Sequence, residues 1–318
     1  MTRSTPPIAI IGAGISALST AWKLSEAGYR ADIFAAEFSP NITSNRAAAF
    51  WFPYHIRHDE RGIDWCRISY QYYRNFEATA ETGVKMMPLL KMVPQLVEED
   101  RSWLQFMPEG SVTVLEETSL PTYIAAGYSV QVPLIETQLF MPWLMETLKE
   151  RGVVFYRQTI ESIDNLNNDY AVVINCSGLG SRTLCSDNEL IPVRGQVALL
   201  EPVQGYPIYL ENERALYVVP RQDATIVGGT YEMGVEDAVT QPADLDQILR
   251  KARAALPGIA HLNVMGSWAG LRPYRESVRL EQEAGKKIIH NYGHGGSGFT
   301  LAFGCGAEAA ARAISLLH

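Results

Sequence analysis

Two glycine-rich turns, one near each end of the chain, carry residue types whose spacing suits chemistry on a phosphate-bearing redox ligand. Near the start, Gly12-Ala13-Gly14-Ile15-Ser16-Ala17 fits the G-x-G-x-x-G/A pattern. Gly12 frees the chain to turn sharply, Gly14 has no side chain to hold a pyrophosphate away, and small Ala17 lets a following helix lie close on a sheet. The N–H groups at that helix start favour a phosphate. Glu37, roughly 25 residues after Gly12, is an acid placed to hold a ribose hydroxyl. Near the other end, Tyr292-Gly293-His294-Gly295-Gly296-Ser297-Gly298-Phe299-Thr300 is a second glycine-rich turn that runs into a helix. A nicotinamide enzyme does not need this second helix dipole. A flavin does, because reduction places negative charge on the N1–C2=O edge of its ring.

The elements that must hold these turns are readable by period. Ile8–Ile11 is a short apolar run, predicted to be a strand buried on both faces of a parallel sheet. An amphipathic helix over Leu18–Glu26, a stop at Gly28 and a second strand over Ala31–Ala35 complete a nucleotide-binding unit. Ala47, Ala48 and Ala49 then precede Phe50, Trp51, Phe52 and Tyr54. Small residues admit a flat ring and aromatics wall a pocket, although these types also describe a loop packed into the core. A helix is predicted over Trp65–Thr82, a proline-punctuated antiparallel region over Val84–Tyr128, and a helix over Thr137–Arg151. Val153–Tyr156 and the run into Cys176-Ser177-Gly178 read as returns to the first sheet. Pro192–Thr230 alternates and resumes the antiparallel region, and Pro242–Leu256 reads as a surface helix. Gly270–Arg275 is expected to precede a polar turn, followed by a strand over Lys287–Asn291 and a helix over Leu301–Leu317.

Composition sets the bounds. The 318 residues are 47% hydrophobic and 19% charged, enough for a full core and two domains. A net charge of −8 argues against nucleic acid or an anionic membrane as partner. No apolar run is long enough to span a membrane, and the opening MTRSTPP lacks the apolar core of a signal peptide. The expected compartment is cytoplasmic. Cys66, Cys176, Cys185 and Cys305 and the six histidines show no metal-ligand spacing, so reduced thiols and no metal are expected.

The chain resembles the D-amino-acid oxidases, with D-aspartate oxidases close by and glycine and sarcosine oxidases more distant. The resemblance rests on GAGISA (12–17), AAAFWFPY (47–54), VVINCSGLG (172–180), PVRGQ (192–196), YVVPR (217–221), GLRPYR (270–275) and HNYGHGGSGFT (290–300), in the family's order. It implies an α/β plus α+β protein. A Rossmann-like FAD-binding domain with a parallel sheet (1–50, 130–190 and 270–318) would be interleaved with a substrate domain on a mainly antiparallel sheet (51–129 and 191–269). It implies non-covalent FAD held by Gly12, Gly14, Ile15 and Ser16, with hydroxyls from Thr43 and Ser44. Ala47, Ala48, Ala49 and Phe50 would lie against the ring, and Cys176, Ser177 and Gly178 near the adenine half. Gly295, Gly298, Phe299 and Thr300 would meet the O2 edge. It also implies catalytic roles for Arg275 and Tyr217 on the substrate carboxylate and for the Gly296 carbonyl on the amine.

Some positions depart from the family. The usual ribose acid falls on Ala36, leaving Glu37 one position late, and the segment 211–216 is too short for a lid tyrosine. The family's aspartate-specific arginine falls on Tyr231, while Arg57 or Arg221 are possible substitutes. Phe50, Phe52 and Tyr54 would make the pocket apolar. A guanidinium fork pairs a carboxylate bidentately, which suits Arg275. Arg194 and Arg221 read as structural pairs, His294 as a hydrogen-bonding residue and Cys305 as packed. The expected activity is oxidation of a neutral D-amino acid, with O2 as acceptor, to a 2-oxo acid, ammonia and hydrogen peroxide. Oxidation of glycine, a secondary amine or an L-amino acid, or a non-catalytic FAD-binding role, remain open. So does assembly as a homodimer.

Overall fold

The computed structural model describes residues 7–57, 59–95, 98–166 and 169–318. It opens as the periodicity predicts. β1 (Ile8–Ile11) is buried along its length and pairs in parallel with β2 (Ala31–Ala35) across α1 (Ile15–Glu26). α2 (Glu60–Phe76) begins at Asp59, whose carboxylate accepts from the Gly62 amide at 2.8 Å, a side-chain N-cap. β3 (Val84–Pro94), β4 (Thr113–Val114) and β5 (Ile124–Ile135) form the antiparallel region, followed by α3 (Thr137–Glu150). β6 (Val154–Arg157) and β7 (Val172–Asn175) return to the first sheet, pairing in parallel with β2 and β1. After the short α4 (Ser181–Leu184) come β8 (Ile191–Leu200), β9 (Ile208–Glu211), β10 (Leu216–Pro220), β11 (Thr225–Gly228) and β12 (Glu232–Met233). α5 (Pro242–Ala255), β13 (Val264–Gln282), β14 (Ile288–His294) and α6 (Gly298–Ser315) complete the chain.

All the strands join one sheet path, β4-β5-β3-β9-β10-β11-β8-β13-β14-β7-β1-β2-β6, with β12 beside β8. The stretch β14-β7-β1-β2-β6 is parallel. From β9 to β14 the neighbours are antiparallel. β14 is the hinge between the two, antiparallel to β13 and parallel to β7. Glycines seat α6 against its neighbours. A Cβ on Gly306 would lie 2.8 Å from the Ser19 carbonyl carbon of α1, and one on Gly304 would overlap the Trp65 backbone of α2. The Ser19 hydroxyl donates to the Ala302 carbonyl at 2.8 Å. Among the described residues, no helix is long and apolar enough to cross a membrane.

Several features differ from the sequence reading, among them α2, expected over Trp65–Thr82 but starting at its Asp59 cap and ending at Phe76. Gly270–Arg275 lies inside the nineteen-residue β13, whose pairing partner β8 runs alongside through Tyr274, and the expected polar turn comes only after Gln282. Alternation over that segment was hidden by Pro273 and by charged residues on both faces. α2, assigned to the region 51–129, packs on α6: Ser69 accepts from the Gly304 amide at 3.1 Å and the Trp65 indole donates to Glu308 at 2.9 Å. The boundaries drawn at 130 and 270 fall within β5 and β13.

Candidate active site and cofactor cleft

One cleft of about 600 Å³ runs between the two glycine turns and is lined by residues of both. At its first end Gly12 adopts φ +107°, and a Cβ there would collide with the Cys176 carbonyl. Only glycine fits so tight a crossing of β1 and β7. Gly14 is the N-cap of α1 and offers no side-chain cap, while the Ile15 amide donates to the Ser44 hydroxyl at 3.0 Å. Gly12, Gly14, Ile15, Ser16, Thr43, Ser44, Cys176, Ser177 and Gly178 all line this end. The Cys176 thiol is itself buried, so its backbone does the lining. Glu37 also lines the cleft and is ion-paired with Arg157 at 2.8 Å. Gln158, Thr159 and Ile160 join it. The sequence reading missed them because only the parallel pairing of β6 with β2 brings them there.

Across the middle, Ala47, Ala48, Ala49 and Phe50 form a wall. Ala49 sits in the left-handed region at φ +54°, which costs a non-glycine residue roughly 1–2 kcal/mol. The second turn closes the far end with Gly295, Gly296, Gly298, Phe299 and Thr300. It is tied to the aromatic segment. Thr300 Oγ1 donates to the Phe52 carbonyl at 2.9 Å and accepts from the Phe52 amide at 3.3 Å, and the Ser297 hydroxyl donates to the Tyr54 carbonyl. Ser297 gives α6 no side-chain cap, and the helix N-terminus with its positive dipole end faces the cleft. Glycine cradles and a helix N-terminus at each end of one cleft fit a dinucleotide flavin.

Tyr217, Tyr54 and Gly296 converge at this far end, but Arg275 does not join them. Its guanidinium pairs with Asp187 at 3.2 Å and Glu189 at 2.6 Å and donates to the Ser277 carbonyl at 3.0 Å, on the side of β13 that faces a second cavity. Arg272 occupies the cleft instead. It donates to the Thr230 carbonyl at 3.1 Å and lies beside the Tyr217 phenol, where its charge favours the ionised form. No carboxylate lies within ion-pairing distance of it among the described residues. In a strand, residues three apart face opposite sides, so only one of the two arginines can enter the cleft.

Two further glycines create this arrangement and were not singled out in the sequence. A Cβ on Gly195 would overlap the Arg272 guanidinium, and one on Gly228 would overlap the Tyr217 ring. On the opposite side, a Cβ on Gly296 would lie 3.1 Å from the Tyr54 ring and 3.5 Å from Arg272 Cδ. Phe50 faces Tyr217 at 6.1 Å between centroids, and Phe52 is buried against Trp103 at 5.6 Å. Burial pushes the Tyr54 phenol up to about 12, against the opposing pull of Arg272. Burial also raises Tyr217, again offset by Arg272. Both hydroxyls therefore stay protonated donors at neutral pH.

Burial alone lowers His294 to about 4, keeping the ring neutral, and its Nε2 finds no hydrogen-bond partner among the described residues. Arg194 pairs with Glu232 and Asp237, and Arg221 with Glu136 and Asp223, as structural pairs. Exposed Arg57 pairs with Asp59 beside the second cavity. Cys305 is buried. No group of side chains suited to a metal occurs among the described residues.

The fold and the cleft define an FAD-type dinucleotide oxidoreductase. The profile of the DAO family, described as FAD dependent oxidoreductase, matches residues 7–312, and the chain belongs to that family. It is 33% identical over 314 residues to a D-amino-acid oxidase of Rubrobacter xylanophilus, covering 97% of this chain and 96% of that protein. It is 35% identical over 318 residues to a D-amino acid oxidase of Dugesia ryukyuensis, covering 95% of each. Among solved structures, a glycine oxidase from Geobacillus kaustophilus shares the fold with a TM-score of 0.83 at 17% identity, over 98% of this chain and 95% of that one.

Proposed function

We propose that the protein oxidises a D-amino acid with a neutral side chain to the imine, which hydrolyses to a 2-oxo acid and ammonia, with O2 reduced to hydrogen peroxide. One observation carries this reading: an arginine without a carboxylate partner among the described residues stands beside a half-buried tyrosine and a glycine backbone at the far end of the cleft. Bound FAD would supply the two-electron chemistry, taking a hydride from the substrate and passing the electrons to O2.

The chain's own residues hold the substrate. Arg272 presents a planar fork to the α-carboxylate, and the Tyr217 hydroxyl donates a further hydrogen bond. The Gly296 carbonyl accepts from the amine, and Phe50 and Tyr54 exclude water around Cα. Gly12, Gly14, Ile15, Ser16, Thr43 and Ser44 hold the cofactor phosphates, Cys176, Ser177 and Gly178 the adenine half, and Gly295, Gly298, Phe299 and Thr300 the ring edge. Among the described residues lining the cleft, Glu37 is the only carboxylate, and it lies at the opposite end. No acidic base is thus available over Cα, which suits departure of hydrogen as hydride. The two arginines weighed for an acidic side chain, Arg57 and Arg221, do not line the cleft, which favours neutral substrates.

Anaerobic addition of matched D- and L-amino acids, glycine and sarcosine to the yellow holoenzyme tests the reading. Bleaching of the flavin absorbance by neutral D-amino acids is expected, with L-forms inert. Faster bleaching by L-amino acids or glycine, or none by any amine, overturns it.

A further inference from the structure

Arg46 belongs to none of the motifs above, yet it lines the cleft, is solvent-exposed and has no carboxylate within ion-pairing distance among the described residues. Its position is held at three points. Nη1 donates to the Ala269 carbonyl at 2.7 Å, the Trp268 indole donates to the Arg46 carbonyl at 3.0 Å, and its stem lies over Gly270, where an added Cβ would sit 3.5 Å from Arg46 Cβ. Gly270 is paired across the ladder with Gly195, the residue under the Arg272 guanidinium. Gly270 and Arg272 are two apart in one strand and share a face. Arg46 and Arg272 therefore flank a single rung of glycines on the cleft side of the sheet.

The chain places Arg46 between the two ends of the cleft. Two residues earlier, Ser44 caps the first amide of α1. Immediately afterwards come Ala47–Ala49, the small-residue wall. A guanidinium whose recorded partner is a neutral carbonyl keeps its full charge available, and no acid beside it cancels that charge.

We propose that Arg46 is an electrostatic contact of the flavin ring, one that tightens FAD binding and favours the negative charge the ring gains on reduction. The inference rests on FAD occupying the cleft. It adds a cation held against β13, independent of the dipole of α6.

The test compares wild type, Arg46→Gln and Arg46→Lys. For each, the FAD dissociation constant, the dissociation constant for ADP as a ring-less competitor, and the flavin midpoint potential are measured. Arg46→Gln is expected to weaken FAD roughly five- to tenfold while leaving ADP unchanged. Its preference for the reduced ring should fall by up to about tenfold, a potential lowered by about 30 mV for a two-electron couple. Arg46→Lys should stay near wild type in all three, and intact ADP binding in Arg46→Gln shows that the fold survives. Unchanged FAD affinity and potential in Arg46→Gln overturn the proposal. So does equal weakening of ADP and FAD, which would make Arg46 a phosphate contact. A change confined to the ranking of acidic against neutral substrates also overturns it. Wild-type protein that binds no FAD would instead sink the underlying reading, a separate outcome.

Discussion

Arg272 and Arg275 have the same chemistry, and the parity of a β-strand separates their tasks. Arg272 faces the cleft beside Tyr217 with no carboxylate partner among the described residues, whereas Arg275 already has two. Arg272→Leu should therefore cost roughly 2–5 kcal/mol in kcat/KM, because a desolvated carboxylate loses its fork. Arg275→Leu should leave KM within about twofold and instead lower stability by roughly 1–3 kcal/mol, since Asp187 loses a charge-assisted hydrogen bond. Steady-state kinetics and thermal melts on the two variants decide between them, and the reverse pattern would return the substrate role to Arg275. Gly195→Ala offers a finer probe. Its methyl displaces the Arg272 guanidinium without touching the charge, so KM should rise about tenfold or more while the flavin spectrum persists.

At the scale of elements, the second glycine turn depends on how β13 and β14 are pinned to the segment after α4. Asp187 accepts from the Tyr292 hydroxyl at 2.8 Å and from Arg275, with Arg279 at 3.7 Å. The pairing of β13 with β14 shifts register between Tyr274 and Arg279, so these contacts replace ladder bonds where the strand is irregular. Burial acts to raise the Asp187 carboxyl. The Tyr292 hydroxyl, the Glu189 amide and the two guanidiniums outweigh it and hold the carboxyl below its usual range. A carboxylate depressed on folding stabilises above its unfolded value, about 3.9, and that contribution is lost as pH falls through the lower folded value. Asp187→Asn should thus melt well below wild type at pH 7, with the gap narrowing toward pH 3. Melting curves across that range check the sign, and a gap independent of pH would remove Asp187 from this role.

Across the whole molecule, the cleft draws walls from the parallel strands, the antiparallel strands and both terminal glycine turns at once. A ligand there contacts segments far apart in sequence and binds only the folded chain. FAD at about one hundred times its dissociation constant should add roughly 2.7 kcal/mol of stability, seen as a raised melting temperature over the flavin-free protein. If FAD left the melt unchanged, the cleft would not be where it binds.

Local physics made much of this legible without coordinates. The fingerprint Gly12–Ala17 is recognisable from its own spacing, and the apolar run of β1 and the helical periods of α3 and α5 appear where the pattern puts them. The second turn, at 293–300, was readable for the same reason. Decisions made across strands were not. Which arginine of GLRPYR enters the cleft depends on a strand face that Pro273 and flanking charges disguise. Gly195 and Gly228 have meaning only through the side chains opposite them, and α2 packs on α6 through a notch at Gly304 some 240 residues away, roughly its separation from Trp65. Spacing along the chain determines what a turn can do. Only the packing of distant strands and helices determines which side chains meet there, because that choice is made by steric fit between residues that share no local sequence.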